Sequence, residues 1–182
     1  MINYKVNYEI LQVFLKNQGI KIENSALYKN ESQKSAVMCY AKNEFNEYLL
    51  LKRIKEPFSG FLVPPGGKTE NNESVEEAMK REYMEETGLE LDNIKLSCIT
   101  TENGPENYNW ILFIFTADIK KSELPACNEG ELVWIEESSL KNQNLSEIDK
   151  MIYDFVFSEN RYFVDISYDS DKNPKINRSE IV

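Results

Sequence analysis

A helix whose apolar stripe is continued by carboxylates constrains this chain more than any other feature. Ser74 and Glu77 have the spacing of a capping box, and Gly88 stands where a helix-ending glycine belongs. Together they predict a helix over 75–87. At about 100° per residue, Val75, Ala78 and Met79 fall on one side and form its buried stripe. Glu82 and Glu86 land inside that stripe, and Glu85 lies at its edge beside Ala78. Carboxylates at i,i+3 and i,i+4 repel, and withdrawing them from water is costly unless they are neutralised. The pattern therefore points to a divalent cation. Arg81, one turn from both Glu77 and Glu85, is placed to hold Glu85.

The rest of the composition narrows the chemistry in the same direction. The chain has 182 residues and no histidine, which excludes Ser-His-Asp and Cys-His catalysis and histidine-bearing zinc motifs. Its three cysteines, Cys39, Cys98 and Cys127, form no CxxC unit and read as thiols of a reducing compartment. Oxygen ligands remain, and these suit Mg²⁺, Mn²⁺ or Ca²⁺. With 31 acidic against 21 basic residues, the net charge of −10 disfavours nucleic-acid polymers and anionic membranes as partners. A polyanionic substrate would need a bridging cation. No apolar run is long enough to span a membrane and the first residues lack a signal-peptide core, so a soluble cytoplasmic protein is expected.

Periodicity outlines a single mixed α/β domain. A short amphipathic helix is expected over 8–18, within an N-terminal extension of residues 1–34. Strands are expected at 35–41, 48–53, 94–101, 109–119, 132–135 and 162–168, and a second helix at about 147–157. The run Trp110-Ile111-Leu112-Phe113-Ile114-Phe115 reads as a strand buried on both faces. Residues 169–182 read as a loose polar tail. Glycine and proline crowd into the window from Pro57 to Gly88, and the Gly66-Gly67 turn lets backbone approach closely. Gly67-Lys68-Thr69 is not a phosphate-binding P-loop, because Leu62 stands where that motif needs glycine.

Gly67, Glu73, Arg81-Glu82, Glu85-Glu86, Gly88 and Leu89 stand at the spacing G-x5-E-x7-R-E-U-x-E-E-x-G-U. This resembles the Nudix box, with every fixed position present. Tyr83 is the one departure, aromatic where an aliphatic residue is usual, and altered packing rather than lost chemistry is expected from it. The resemblance implies an α/β/α sandwich around a mixed sheet, covering about residues 35–168, with a loop–helix–loop catalytic motif. It also implies Mg²⁺- or Mn²⁺-dependent hydrolysis of a nucleoside diphosphate linked to another group. Glu82, Glu85 and Glu86 would be metal ligands, with Gly67 offering a carbonyl. Glu73 and Arg81 would brace the helix, and one carboxylate in or outside the box would activate water.

The flanks are similar to MutT-type pyrophosphohydrolases of oxidised purine triphosphates such as 8-oxo-dGTP. That similarity places Glu129 (or Glu131) as a further metal or base carboxylate and Glu147 or Asp149 as a base-reading acid. Lys68 joins these two among the substrate-binding residues. Both acids also fall in the first turn of a helix, where they would favour the helix dipole. Trp110 and Trp134 could stack a base, but each reads first as core on a strand. The rival substrate is ADP-ribose or a sugar nucleotide, for which Pro105, sixteen residues past Leu89, is a cue; Asn103-Gly104-Pro105 is also an ordinary turn signal. A ligand-sensing Nudix-like module would be expected to lose box carboxylates, and this chain keeps them. Monomer and homodimer both stay open.

Overall fold

The apolar run that reads as a doubly buried strand lies at the centre of the sheet. In the computed structural model, residues 33–182 are described except 57, 106 and 107. The helix expected over 8–18 lies outside them. In chain order the strands and helices are β1 (Lys34–Lys42), β2 (Glu47–Arg53), β3 (Leu62–Val63), β4 (Gly66–Lys68), α1 (Val75–Thr87), β5 (Asp92–Asn103) and β6 (Asn109–Asp118). Then follow β7 (Gly130–Glu136), α2 (Glu137–Leu140), α3 (Glu147–Val156), β8 (Tyr162–Tyr168) and β9 (Pro174–Ile181).

These strands form one mixed sheet in the order β3-β2-β1-β6-β5-β8-β9, with β4 paired to β1 and β7 to β2. The β1–β6 and β5–β8 pairs are parallel and the others antiparallel. Alternation along β6 sends Ile111, Phe113 and Phe115 to one face and Leu112 and Ile114 to the other. On the first face they meet Ala78, Met79 and Tyr83 of α1. On the second they meet Ile148, Ile152 and Val156 of α3. Each such side chain taken from water contributes about 1.5–3 kcal/mol, so both helices are pinned by their apolar stripes. The result is the expected α/β/α sandwich. No helix among the described residues is long and apolar enough to cross a membrane.

Two local readings need correction. Residues 169–182 are not a loose tail: Pro174–Ile181 forms β9, antiparallel to β8. Its polar alternation hides a strand because most of its side chains are exposed, so no apolar period marks it. The Gly66-Gly67 turn is likewise a strand, β4, which adds to β1 opposite Val37 and Met38.

Candidate active site

Helix α1 begins and ends as its sequence dictates. The Ser74 side chain accepts from the Glu77 amide, Glu77 accepts from the Ser74 amide at 2.7 Å, and Gly88 closes the helix at φ 68°. Glu77 is thus spent on the cap. Arg81 turns instead to Glu73, donating from Nε at 3.0 Å and from Nη2 at 2.7 Å, and to Glu82 at 2.8 Å from Nη1. Nη2 also reaches the Lys68 carbonyl at 3.1 Å. Glu85 stands 3.6 Å from Arg81 with its side chain 61% exposed. The expected Arg81–Glu85 contact exists, but the main partners are Glu73 and Glu82. The Arg81 hydrogen bonds hold the Glu73 carboxyl below its usual range.

Strand β4 brings backbone onto the carboxylates. A Cβ placed on Gly67 would collide with the Glu82 carboxylate, so glycine leaves that carboxylate room where it stands. The neighbouring Gly66 amide donates to Glu86 Oε2 at 2.9 Å. Glu86 is largely sunk, and burial pushes its carboxyl up to about 7; the Gly66 amide and Arg53 oppose this, while Glu129 and Glu82 add to it. Glu129 precedes β7 and meets the end of β2, where Arg53 Nη1 stands 2.9 Å from it and Lys55 3.9 Å. Glu82, Glu86, Glu129 and Arg53 therefore form one electrostatic cluster beside Gly66-Gly67. Arg53 had no signature in the sequence; pairing of β2 with β7 across Arg53 and Gly130 is what delivers it.

The remaining expected residues lie elsewhere. Lys68 is exposed at the end of β4. Glu147 is exposed and paired with Lys150 at 3.0 Å. Asp149 is buried under α3, accepting from Tyr40 at 2.8 Å and from Ser146 at 2.5 Å. Both its oxygens are committed to the core instead of facing a cleft, and burial raises its pKa. Glu102, which periodicity left unremarked, is 1% exposed and accepts from Thr100, Tyr108 and Tyr168. Its nearest alternate positions are Thr100 and Gly104, so no apolar period marked it as buried. Trp110 and Trp134 pack partly buried against the two cores, and Pro105 sits in the β5–β6 turn, its carbonyl accepting from Tyr108. Hollows of about 390 and 720 Å³ open around Lys42 and Asp118. Lys42 stands four positions, about 13 Å, along β1 from Met38, the partner of Gly66, and neither hollow is lined by Glu82, Glu85, Glu86 or Glu129.

One group in this region has no partner. The hydroxyl of Tyr83 is the buried side-chain polar atom left without a hydrogen bond among the described residues. Such an orphan costs about 1–3 kcal/mol.

The carboxylate cluster fits a hard cation. Its donors are all oxygen, the right set for Mg²⁺ or Mn²⁺, and the bare face of Gly67 cradles one of them. Among the described residues, no three acidic or thiol side chains are already drawn into metal-holding geometry. Arg81 holds Glu82, the Gly66 amide holds Glu86, and Glu85 faces solvent.

Comparison with known proteins agrees with this architecture. A family model described as "NUDIX domain" matches residues 32–155. An ADP-ribose pyrophosphatase of Methanocaldococcus jannaschii is 36% identical over 88 residues, 47% of this chain and 52% of that protein. An 8-oxo-dGTP diphosphatase of Proteus vulgaris is 28% identical over 102 residues, 54% of this chain and 89% of that protein. Among solved structures, the mutator MutT protein of Bacillus halodurans superposes with a TM-score of 0.68 at 28% identity, covering 81% of this chain and 97% of that one. The chain spans about half the length of the ADP-ribose pyrophosphatase.

Proposed function

The chain belongs to the Nudix family of pyrophosphate-bond hydrolases, and from that premise we propose that it hydrolyses a purine nucleoside triphosphate, oxidised or not, to the monophosphate and pyrophosphate. The observation that carries this reading is the convergence of Gly67 on Glu82 and of the Gly66 amide on Glu86, with Glu129 and Arg53 alongside. Glu82, Glu85 and Glu86 would hold Mg²⁺ or Mn²⁺, with Gly67 available to add its carbonyl. A bound divalent ion supplies charge neutralisation at the phosphates and a lower pKa for water.

The protein's own groups do the rest. Glu73 fixes Arg81 by two hydrogen bonds, and Arg81 fixes Glu82. Glu85, exposed, or Glu129, whose charge acts on Glu86, would take a proton from attacking water. Lys68, exposed at the end of β4, and Arg53, paired with Glu129, would supply positive charge for phosphate oxygens. The triphosphate reading draws on the MutT-like fold and the 8-oxo-dGTP diphosphatase relative, since Asp149 is committed to Tyr40 and Ser146. The free thiols of Cys39 and Cys98, both buried, support a reducing, cytoplasmic setting.

A second reading, cleavage of ADP-ribose or a sugar nucleotide, is favoured by the 36%-identical relative. Release of phosphate, pyrophosphate or nucleoside monophosphate should be measured on normal and oxidised triphosphates, ADP-ribose and dinucleoside polyphosphates, with Mg²⁺, Mn²⁺ or chelator. Preference for triphosphates supports the first reading, and preference for ADP-ribose replaces it with the second. Equal turnover in chelator, or a fully active Glu85→Gln protein, removes the metal assignment.

A further inference from the structure

The hollow of about 390 Å³ lies where strands of the sheet meet the end of α3, and it has the size of a small-molecule pocket. Strands contribute Tyr40, Tyr48, Ser97 and Thr116 to its lining, and the end of α3 contributes Tyr153 and Phe157. The charges around it are already answered. Lys42 donates to Glu137 at 3.3 Å, and the Tyr48 hydroxyl donates to the same carboxylate at 3.3 Å. Asn93 donates to Asp118 at 2.7 Å, and Lys95 donates to the Glu159 carbonyl at 3.4 Å. Two lysines, Lys42 and Lys95, face two carboxylates, Asp118 and Glu137, so the lining selects no ion. The adjoining hollow shares Lys42, Asn93 and Asp118 and adds Glu44 and Asp92 against Lys120. In a chain of net charge −10, this side repels a phosphate. What stays open is aromatic and neutral. The Phe157 ring has Tyr40, Tyr48 and Tyr153 around it, with centroids at 5.2, 5.3 and 4.6 Å, and all four line the hollow. Ser97 Oγ and Thr116 Oγ1 stand 2.9 Å apart, and either can donate to the other. Such a pair holds two hydrogens and uses one between its members. The other finds only the Lys95 carbonyl, at 3.5 Å from Ser97 Oγ, too far for a good bond. The pair therefore offers one donor and one acceptor side by side.

We propose that this hollow is a second ligand site, which takes an uncharged nucleoside whose base carries a lactam and turns away the phosphorylated form. A lactam edge presents an N–H beside a C=O. Ser97 donates to Thr116, Thr116 donates to the lactam oxygen, and Ser97 accepts from the lactam N–H. That closes a ring of hydrogen bonds and keeps the one already present. The flat base meets the aromatic side chains of Tyr153 and Phe157, contacts that tolerate any base. The carboxylates of Asp118 and Glu137 accept from ribose hydroxyls, and the same groups disfavour a phosphate. None of Glu82, Glu85, Glu86 and Glu129 lines this hollow, so the site stands whatever substrate the carboxylate cluster serves.

Inosine and uridine carry the lactam, and inosine 5′-monophosphate adds only the phosphate. With the full chain in chelator, amide resonances of residues 93–97, 116–118 and 153–158 should shift when inosine or uridine is added, and those of 66–67 and 82–86 should not. Inosine 5′-monophosphate should need about tenfold higher concentration to move them, or fail to. Thr116→Val removes one hydroxyl and keeps the branched shape, and it should weaken inosine binding about tenfold, the size of one hydrogen bond. Tyr153→Leu removes one ring from a half-buried position of α3 and should weaken it by a similar factor; it decides the matter if Thr116→Val does not fold. Turnover at the carboxylate cluster should be parental in both variants. No shift with either nucleoside, shifts confined to 66–67 and 82–86, or parental inosine affinity in the folded variants overturns the site. Equal affinity for inosine and its monophosphate overturns the selection of an uncharged ligand.

Discussion

Single atoms decide whether the acids of this chain hold a cation or merely repel. Gly67 is the sharpest case, because an added Cβ would meet the far end of a side chain, Glu82, and not backbone. Gly67→Ala should therefore leave the thermal midpoint within about 2 °C of the parent, the scale of a surface change, while lowering kcat at least tenfold. A variant with parental kcat would remove Glu82 from the mechanism. Glu86 gives a pH dependence whose sign follows from its burial. Its carboxyl is held up to about 7 in the fold against an ordinary value of 4.5. Between those values the fold keeps a proton that the unfolded chain releases, so metal-free stability falls as pH rises through that window. A cation needs the carboxylate, so its affinity should climb as pH approaches 7 and level off above it. The rise in thermal midpoint caused by Mg²⁺ should thus be small at about pH 5.5 and full at about pH 8. Equal rises at both would show that Glu86 takes no part.

At the scale of elements, the site is a helix set against a three-residue strand. Helix α1 needs its N-terminal cap to hold Glu73, Arg81 and Glu82 in register. Ser74→Ala deletes the acceptor for the Glu77 amide and should cost about 1 kcal/mol in urea unfolding, with the metal requirement unchanged. No measurable loss would mean that tertiary packing alone sets the start of the helix. Strand β4 owes its place to β1, which spends one end on the β2 hairpin and the other on Gly66–Lys68. At Gly66 the backbone has φ 156° and lies against the Val37 carbonyl, so no side chain fits there.

At the scale of the whole molecule, the sheet separates stability from chemistry. From β1, beside the site, to β9 there are four strand steps, about 19 Å. Deleting residues 170–182 would strip β9 from β8, take Arg178 from the face of Phe163 and remove Val182 from the first core. The thermal midpoint should drop by several degrees, as for other losses of about 1–3 kcal/mol. Turnover per folded molecule should hold at low temperature; its loss there would tie β9 to the site. Much of this was legible beforehand. The helix over 75–87, its two caps and its acid-bearing stripe are local consequences of residue type and spacing, as is the doubly buried β6. Strand β9 was not legible, because an exposed edge strand carries no apolar period, and its pairing with β8 is a long-range event. Nor could spacing bring Arg53 to Glu129, give both oxygens of Asp149 to Tyr40 and Ser146, or leave the buried phenol of Tyr83 without a hydrogen-bond partner. Sequence alone determined which carboxylates exist and on which side of one helix they stand, since that depends on a fixed turn per residue. Only the tertiary structure decided which of them meet, and which are buried or already bonded, because those follow from strands far apart in the chain closing into one sheet.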